Sequence, residues 1–194
     1  MPPAAVKSLG DLLFWQYAKI ISVSAGLGKK NFGFIMSKYK KLQSGEIAWN
    51  SIREYVKEHE SDKECIICGA KDQPLTADHL FPRKHNGPND ANNIAWVCRS
   101  CNSSKGARRL YEFYTATAGI EVANYDVPRI AEGKYLKLLH AIFSDANMLD
   151  YKISDITAHG CPACDLKPLC IKEGTEGRLS ILCLDGLATI ALRE

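Results

Sequence analysis

The sequence predicts an α+β protein: a small ββ-then-helix core with a structural zinc, flanked by N-terminal helices and a small metal-stapled C-terminal segment. Three observations carry this. Apolar residues recur at helical spacing through the first 60 positions, two CxxC pairs bracket a strand–loop–strand pattern, and a second group of four cysteines lies near the C-terminus. At 194 residues and 46% hydrophobic content, the chain can bury one well-packed core, alone or with an appendage. Composition divides it into a helical N-terminal region (1–60), a middle region rich in Cys, Asn, Pro and Arg (61–117), and a C-terminal region (118–194).

The N-terminal elements follow from periodicity. Leu12, Leu13, Trp15, Tyr17, Ile20 and Ile21 predict one helix ending near Gly26-Leu27-Gly28. Ile47, Trp49, Ile52, Tyr55 and Val56 predict a second, from about Glu46 to His59. In the C-terminal region a loop around Asn124–Pro128 precedes an amphipathic helix over Lys134–Phe143, and the chain ends in an apolar stretch, Leu179–Leu192. There is no internal repeat. No run of about 18 apolar residues exists, and Met1–Gly10 lacks the basic-then-apolar pattern of a leader. A cytoplasmic protein without a membrane anchor is therefore expected, and there eight cysteines point to metal ligation rather than disulfides.

The net charge of +3 says little, but its distribution is uneven. Residues 78–109 hold six basic residues against two acids, Lys29–Lys41 holds five lysines and no acid, and Glu46–Glu64 between them is acidic. A local basic field suits a polyanion surface.

Cys65-Ile-Ile-Cys68 and Cys98-Arg-Ser-Cys101 are the spacing of two zinc knuckles, whose four thiolates can close a tetrahedral structural Zn²⁺ site. Between them, residues 73–82 and 92–97 predict two short strands joined by a polar loop. A helix is expected to start near Arg99 or Ser100 and run towards Thr115. Asp78 and His79 then leave the first strand together, facing Asn102 on the helix. A carboxylate and an amide oxygen form a hard-oxygen half-shell suited to Mg²⁺ or Mn²⁺, and a neutral histidine beside it can activate water.

These residues resemble the zinc-knuckle branch of the HNH endonucleases over about 45 positions. Asn93 and Asn102 follow His79 by 14 and 23 residues, and Asn102-Ser-Ser-Lys105-Gly106 is similar to the family's CxxCNxxKG ending. The resemblance implies the ββα-metal fold and metal-dependent hydrolysis of DNA phosphodiesters, in a restriction, defence or mobile-element setting. It makes His79 the general base, Asp78 and Asn102 the ligands of one divalent cation, and Asn93 the residue that orients the His79 loop through backbone hydrogen bonds. It brings Lys105 to the phosphate beside the scissile bond. The third motif position is Asn rather than His, a form also found in the family, and by the resemblance it should weaken metal affinity slightly without changing the mechanism. Arg83, Lys84, Arg99, Arg108 and Arg109 are candidates for DNA-backbone contacts. A cutter of both strands with one site per chain calls for a homodimer. The competing reading is a non-catalytic zinc-containing DNA-binding module.

The second group, Cys161-Pro-Ala-Cys164, Cys170 and Cys183, admits two cofactors: a 4Fe–4S cluster or a second Zn²⁺. The compact CxxCx5C run resembles the cluster-binding ends of RecB-like nucleases and of some DNA glycosylases, although Cys183 as fourth ligand departs from both. His159 lies close in sequence as a substitute ligand. A redox enzyme built on this group is the remaining rival.

Overall fold

A computed structural model describes residues 2–60 and 63–193. It is mixed α and β, with one two-stranded antiparallel sheet set among helices. Helix α1 (Leu9–Ser24) opens on Ser8, whose hydroxyl accepts from the Asp11 amide at 3.1 Å. It buries Leu9, Leu12, Leu13, Tyr17, Ala18 and Ile20 between α2 (Phe32–Gln43) and α7 (Arg129–Asp145). Helix α2 was not expected from periodicity. Its buried face is only Ile35, Tyr39 and Leu42, and its outward lysines give the segment a basic, loop-like composition. Lys29, just before it, does not join that basic surface; it is buried and paired with Glu132 at 2.5 Å.

The expected helix over Glu46–His59 is much shorter. Residues 46–53 form turns, and α3 covers only Glu54–Glu60. The apolar residues read as a helical face are instead partly an aromatic plug. Trp49 packs on Tyr17 (4.9 Å between rings), His140 (4.7 Å) and Phe14 (5.2 Å). Glu54 accepts a 2.6 Å hydrogen bond from the Tyr17 hydroxyl, and α3 lies so close to α7 that a Cβ on Gly133 would meet Glu54 Cγ at 2.3 Å.

Strands β1 (Leu75–His79) and β2 (Ile94–Cys98) pair in the register Leu75↔Cys98 to His79↔Ile94, and α4 (Arg99–Lys105) follows β2 without a break. The outer edge of β2 is not left bare: the Trp96 amide donates to Glu58 Oε1 (3.1 Å), and its carbonyl accepts from the Ile66 amide (3.0 Å). The single helix expected to run towards Thr115 is two helices. Gly106, at φ +56°, ends α4, and α5 (Leu110–Ala118) starts afresh from an Arg109–Glu112 capping box. Helix α6 (Ile120–Tyr125) leads to α7, which begins five residues earlier than expected because Pro128 sits at its N-cap. Short helical turns α8 (Ile153–Asp155), Ile156–Gly160 and α9 (Cys161–Ala163), then α10 (Lys167–Lys172), carry the chain to α11 (Ile181–Ala191).

One hydrophobic core draws on all three compositional regions, joining α1, α2, α5, α7 and α11 to Leu80, Phe81 and Ala95 of the ββα unit. A small satellite cluster, Cys65, Val97 and Cys98, lies under the first knuckle. No described helix is long and apolar enough to cross a membrane.

Candidate metal centre and active site

The first four cysteines gather as the spacing requires. Gly69, at φ +70°, lets the first knuckle close with its amide donating to the Cys65 carbonyl (2.7 Å). Cys98 caps α4, and Cys101 lies in that helix's first turn. One ligand atom from each of Cys65, Cys68, Cys98 and Cys101 lies within 4.8 Å of the others. The Cys68 and Cys98 sulfurs are 3.8 Å apart. That matches the edge of a tetrahedron with Zn–S bonds of about 2.3 Å, roughly 3.8 Å. Burial opposes a charged Cys65, but amides of Cys98, Cys68 and Ile67 donate to it and bring its thiol down to about 7. The four sulfurs suit a structural metal such as zinc, which would tie the first knuckle to the start of α4.

Thr76 and Asp78, two apart on β1, share one face, and α4 packs against the strand. Asn102 and Lys105, three apart, share one face of α4. Asn102 Nδ2 donates to Thr76 Oγ1 at 3.1 Å, which leaves its Oδ1 as the free end of the amide. Lys105 lies with its ammonium buried, 3.0 Å from Asp78 Oδ2, and donates to the His79 carbonyl at 2.7 Å. Burial lowers the Lys105 pKa, and Asp78 works against that fall. Lys105 was expected at a phosphate. The structure turns it inward instead, as the strut between helix and strand.

Asn93 is fully buried. Its Oδ1 accepts from the Phe81 amide (2.6 Å), and its Nδ2 donates to the Phe81 (2.9 Å) and Pro88 (2.7 Å) carbonyls. Both ends of the loop after His79 are thereby pinned. The His79 ring lies with Nε2 3.3 Å from Asn89 Oδ1.

Residues 65–108 match the family model described as HNH endonuclease. This segment is an HNH domain. No curated protein and no solved structure matches the chain. The match points to a nuclease or DNA-binding function.

Around the HNH domain the basic candidates divide. Arg83 and Lys84 on the loop after β1, and Arg99 at the start of α4, are exposed. Arg108 folds over the end of α4, bonded to the Lys105 and Ser104 carbonyls and stacked on Phe113 at 5.0 Å. Arg109 is not available to DNA. It is buried and bonded bidentately to Asp165 (2.9 and 3.0 Å), to Glu112 (2.9 Å) and to Thr189 (2.6 Å). Although burial works against its charge, those carboxylates and Asp185 hold its pKa above the usual value. Thr76 and Asn89 are residues that the motif did not single out. Their signal is positional: Thr76 stands two residues before Asp78, and Asn89 sits in the loop pinned by Asn93.

Proposed function

We propose that the chain is a metal-dependent DNA endonuclease that hydrolyses a phosphodiester with a water activated by His79. One observation carries the reading: Lys105 of α4 ties the Asp78 carboxylate (3.0 Å) to the His79 carbonyl (2.7 Å) while Asn102 of the same helix bonds Thr76 of the same strand, so carboxylate, amide and histidine belong to one small rigid unit. Asp78 Oδ2 is buried against the Lys105 ammonium at 3.0 Å. Two hard oxygens fit Mg²⁺ or Mn²⁺, with water and phosphate completing the sphere. A cation bound there would neutralise charge at the scissile phosphate and on the leaving 3′-oxygen.

The chain's own groups do the rest. With Nε2–H donated to Asn89, the His79 Nδ1 is the nitrogen free to take a proton from water. Lys105 fixes the backbone at His79 through its carbonyl, and Asn93 fixes the loop behind it. Arg83, Lys84 and Arg99 supply exposed charge for backbone phosphates. The product carries a 5′-phosphate. Cutting of both strands needs a homodimer or two successive nicks, which light scattering of the protein on DNA separates.

The test is cleavage of supercoiled plasmid with Mg²⁺ or Mn²⁺, His79→Ala against wild type, with DNA binding followed in parallel. The variant should bind and not nick. If wild type leaves the plasmid intact under every divalent metal yet binds it, the chain is a non-catalytic zinc-containing DNA-binding module and the enzyme reading falls.

A further inference from the structure

The second cysteine group plays no part in that chemistry, yet the fold brings its members together. Cys161, Cys164, Cys170 and Cys183 arrive from α9, the residue after it, α10 and the first turn of α11, and all four line one pocket of about 210 Å³. Ile156, Leu182 and Leu187 supply apolar wall. Helix α11 passes so near Cys164 that a Cβ on Gly186 would meet its sulfur at 2.3 Å, so the helix backbone itself backs the ligand.

Size separates the two metal chemistries. Around one zinc, sulfurs stand roughly 3.8 Å apart, and the first group is drawn together in that way. Among the described residues only Cys65, Cys68, Cys98 and Cys101 gather within 4.8 Å; the second four surround a space instead. In a cubane each thiolate holds its own iron at a separate corner, so the sulfurs lie well outside a one-ion tetrahedron and the middle is filled by iron and sulfide. The pocket is many times the roughly 30 Å³ share of one water. Its lining also carries Lys167 and Arg178 against one acid, Glu176, a balance that suits an anionic centre.

We propose that Cys161, Cys164, Cys170 and Cys183 ligate a four-iron, four-sulfide cluster in this pocket. The cluster staples the loop that holds the exit of the HNH domain. Asp165, next to Cys164, grips Arg109, which caps α5 four residues beyond Lys105. His159, in the turn before α9, is not among the residues lining the pocket.

The full chain is purified without oxygen and analysed for iron, acid-labile sulfide and zinc, with electron paramagnetic resonance after dithionite reduction. About four irons, about four sulfides and about one zinc per chain are expected. Cys183→Ser and Cys170→Ala should lose the iron and its broad visible absorption while keeping the zinc, and Cys68→Ala should do the reverse. Should these variants fail to fold, reconstitution of wild type with ferrous iron and sulfide decides alone. Two zincs and no iron, two irons with two sulfides, or no uptake on reconstitution each overturn the proposal. Metal content is read independently of plasmid cleavage, so failure here leaves the nuclease reading standing.

Discussion

Lys105→Met removes one buried ammonium and tests the strut on which the site rests. Methionine keeps the stem's volume, so the loss is of charge and hydrogen bonding rather than of packing. The wild-type ammonium is 3.0 Å from Asp78 Oδ2 and donates to the His79 carbonyl at 2.7 Å. Stripping one partner from a buried ion pair costs about 3–5 kcal/mol. Asp78 keeps 13% of its side-chain surface exposed, so water recovers part of this and a loss of about 3 kcal/mol is expected. With a urea m-value of about 2 kcal/mol/M, the midpoint falls by roughly 1.5 M. The second limb is magnesium. Lys105 and a cation compete for the same carboxylate, so the variant should gain more stability from Mg²⁺ than wild type. Saturation at ten times Kd restores about 1.4 kcal/mol. Urea melts of both proteins with and without Mg²⁺ measure both limbs. A loss under about 0.5 kcal/mol, typical of a surface lysine, would show that the ion pair is not formed. An equal Mg²⁺ response in both would remove Asp78 as a ligand.

Three further outcomes are expected. Asn93→Ala leaves the Phe81 amide and carbonyl without their partner, so it should cost about 2–4 kcal/mol and abolish nicking, as read by urea melts and plasmid cleavage. Asn89 is exposed, so Asn89→Ala should leave the melt unchanged while lowering kcat about tenfold; an unchanged kcat removes Asn89 as the positioning residue for His79. Burial lowers Lys19 and Lys137 to about 8, with Glu132 and Glu121 against Lys29 around the first, and Glu54 against Lys57 around the second. Between pH 8 and 10 the unfolded chain holds protons on these lysines that the fold does not. The two lysines therefore contribute stability that grows as pH rises through that window, and replacing both by Met should remove that contribution; a urea midpoint with the same pH dependence from 8 to 10 in wild type and double variant would contradict this.

Legibility in the sequence tracked how local the cause was. The knuckles, the two strands and the start of α4 are set by turns and ligands within a few residues, and they lie where the pattern put them. Helix α2 and the turns at 46–53 depend on distant partners. Trp49 is a plug against α1 and α7, and α2 buries only Ile35, Tyr39 and Leu42. Periodicity cannot tell a plug from a helical face when both place aromatics at similar intervals. The break at Gly106 was visible as a glycine, but an apolar continuation into Leu110–Phe113 hid it.

Charge was the least legible property, because its meaning depends on what lies opposite. Lys29, Lys105 and Arg109 all counted towards a basic surface, and all three are buried against carboxylates from far along the chain or across the sheet. The motif supplied identities but not directions: it named Lys105 without showing that Asp78 would claim it. Arg109 shows what this implies for the whole chain. It leaves the HNH domain, caps α5 and binds Asp165 beside Cys164, while the Glu112 amide donates to Asp185 on α11 at 2.7 Å. An ion pair between the end of the HNH domain and the loop of the second cysteine group couples their geometries. Distortion of that loop should therefore be felt at α4, where Asn102 and Lys105 meet the strand. A double-mutant cycle of Arg109→Met with Cys164→Ser measures the coupling. Strict additivity of the two losses would mean that the C-terminal segment is an appendage and not part of the frame that holds the site.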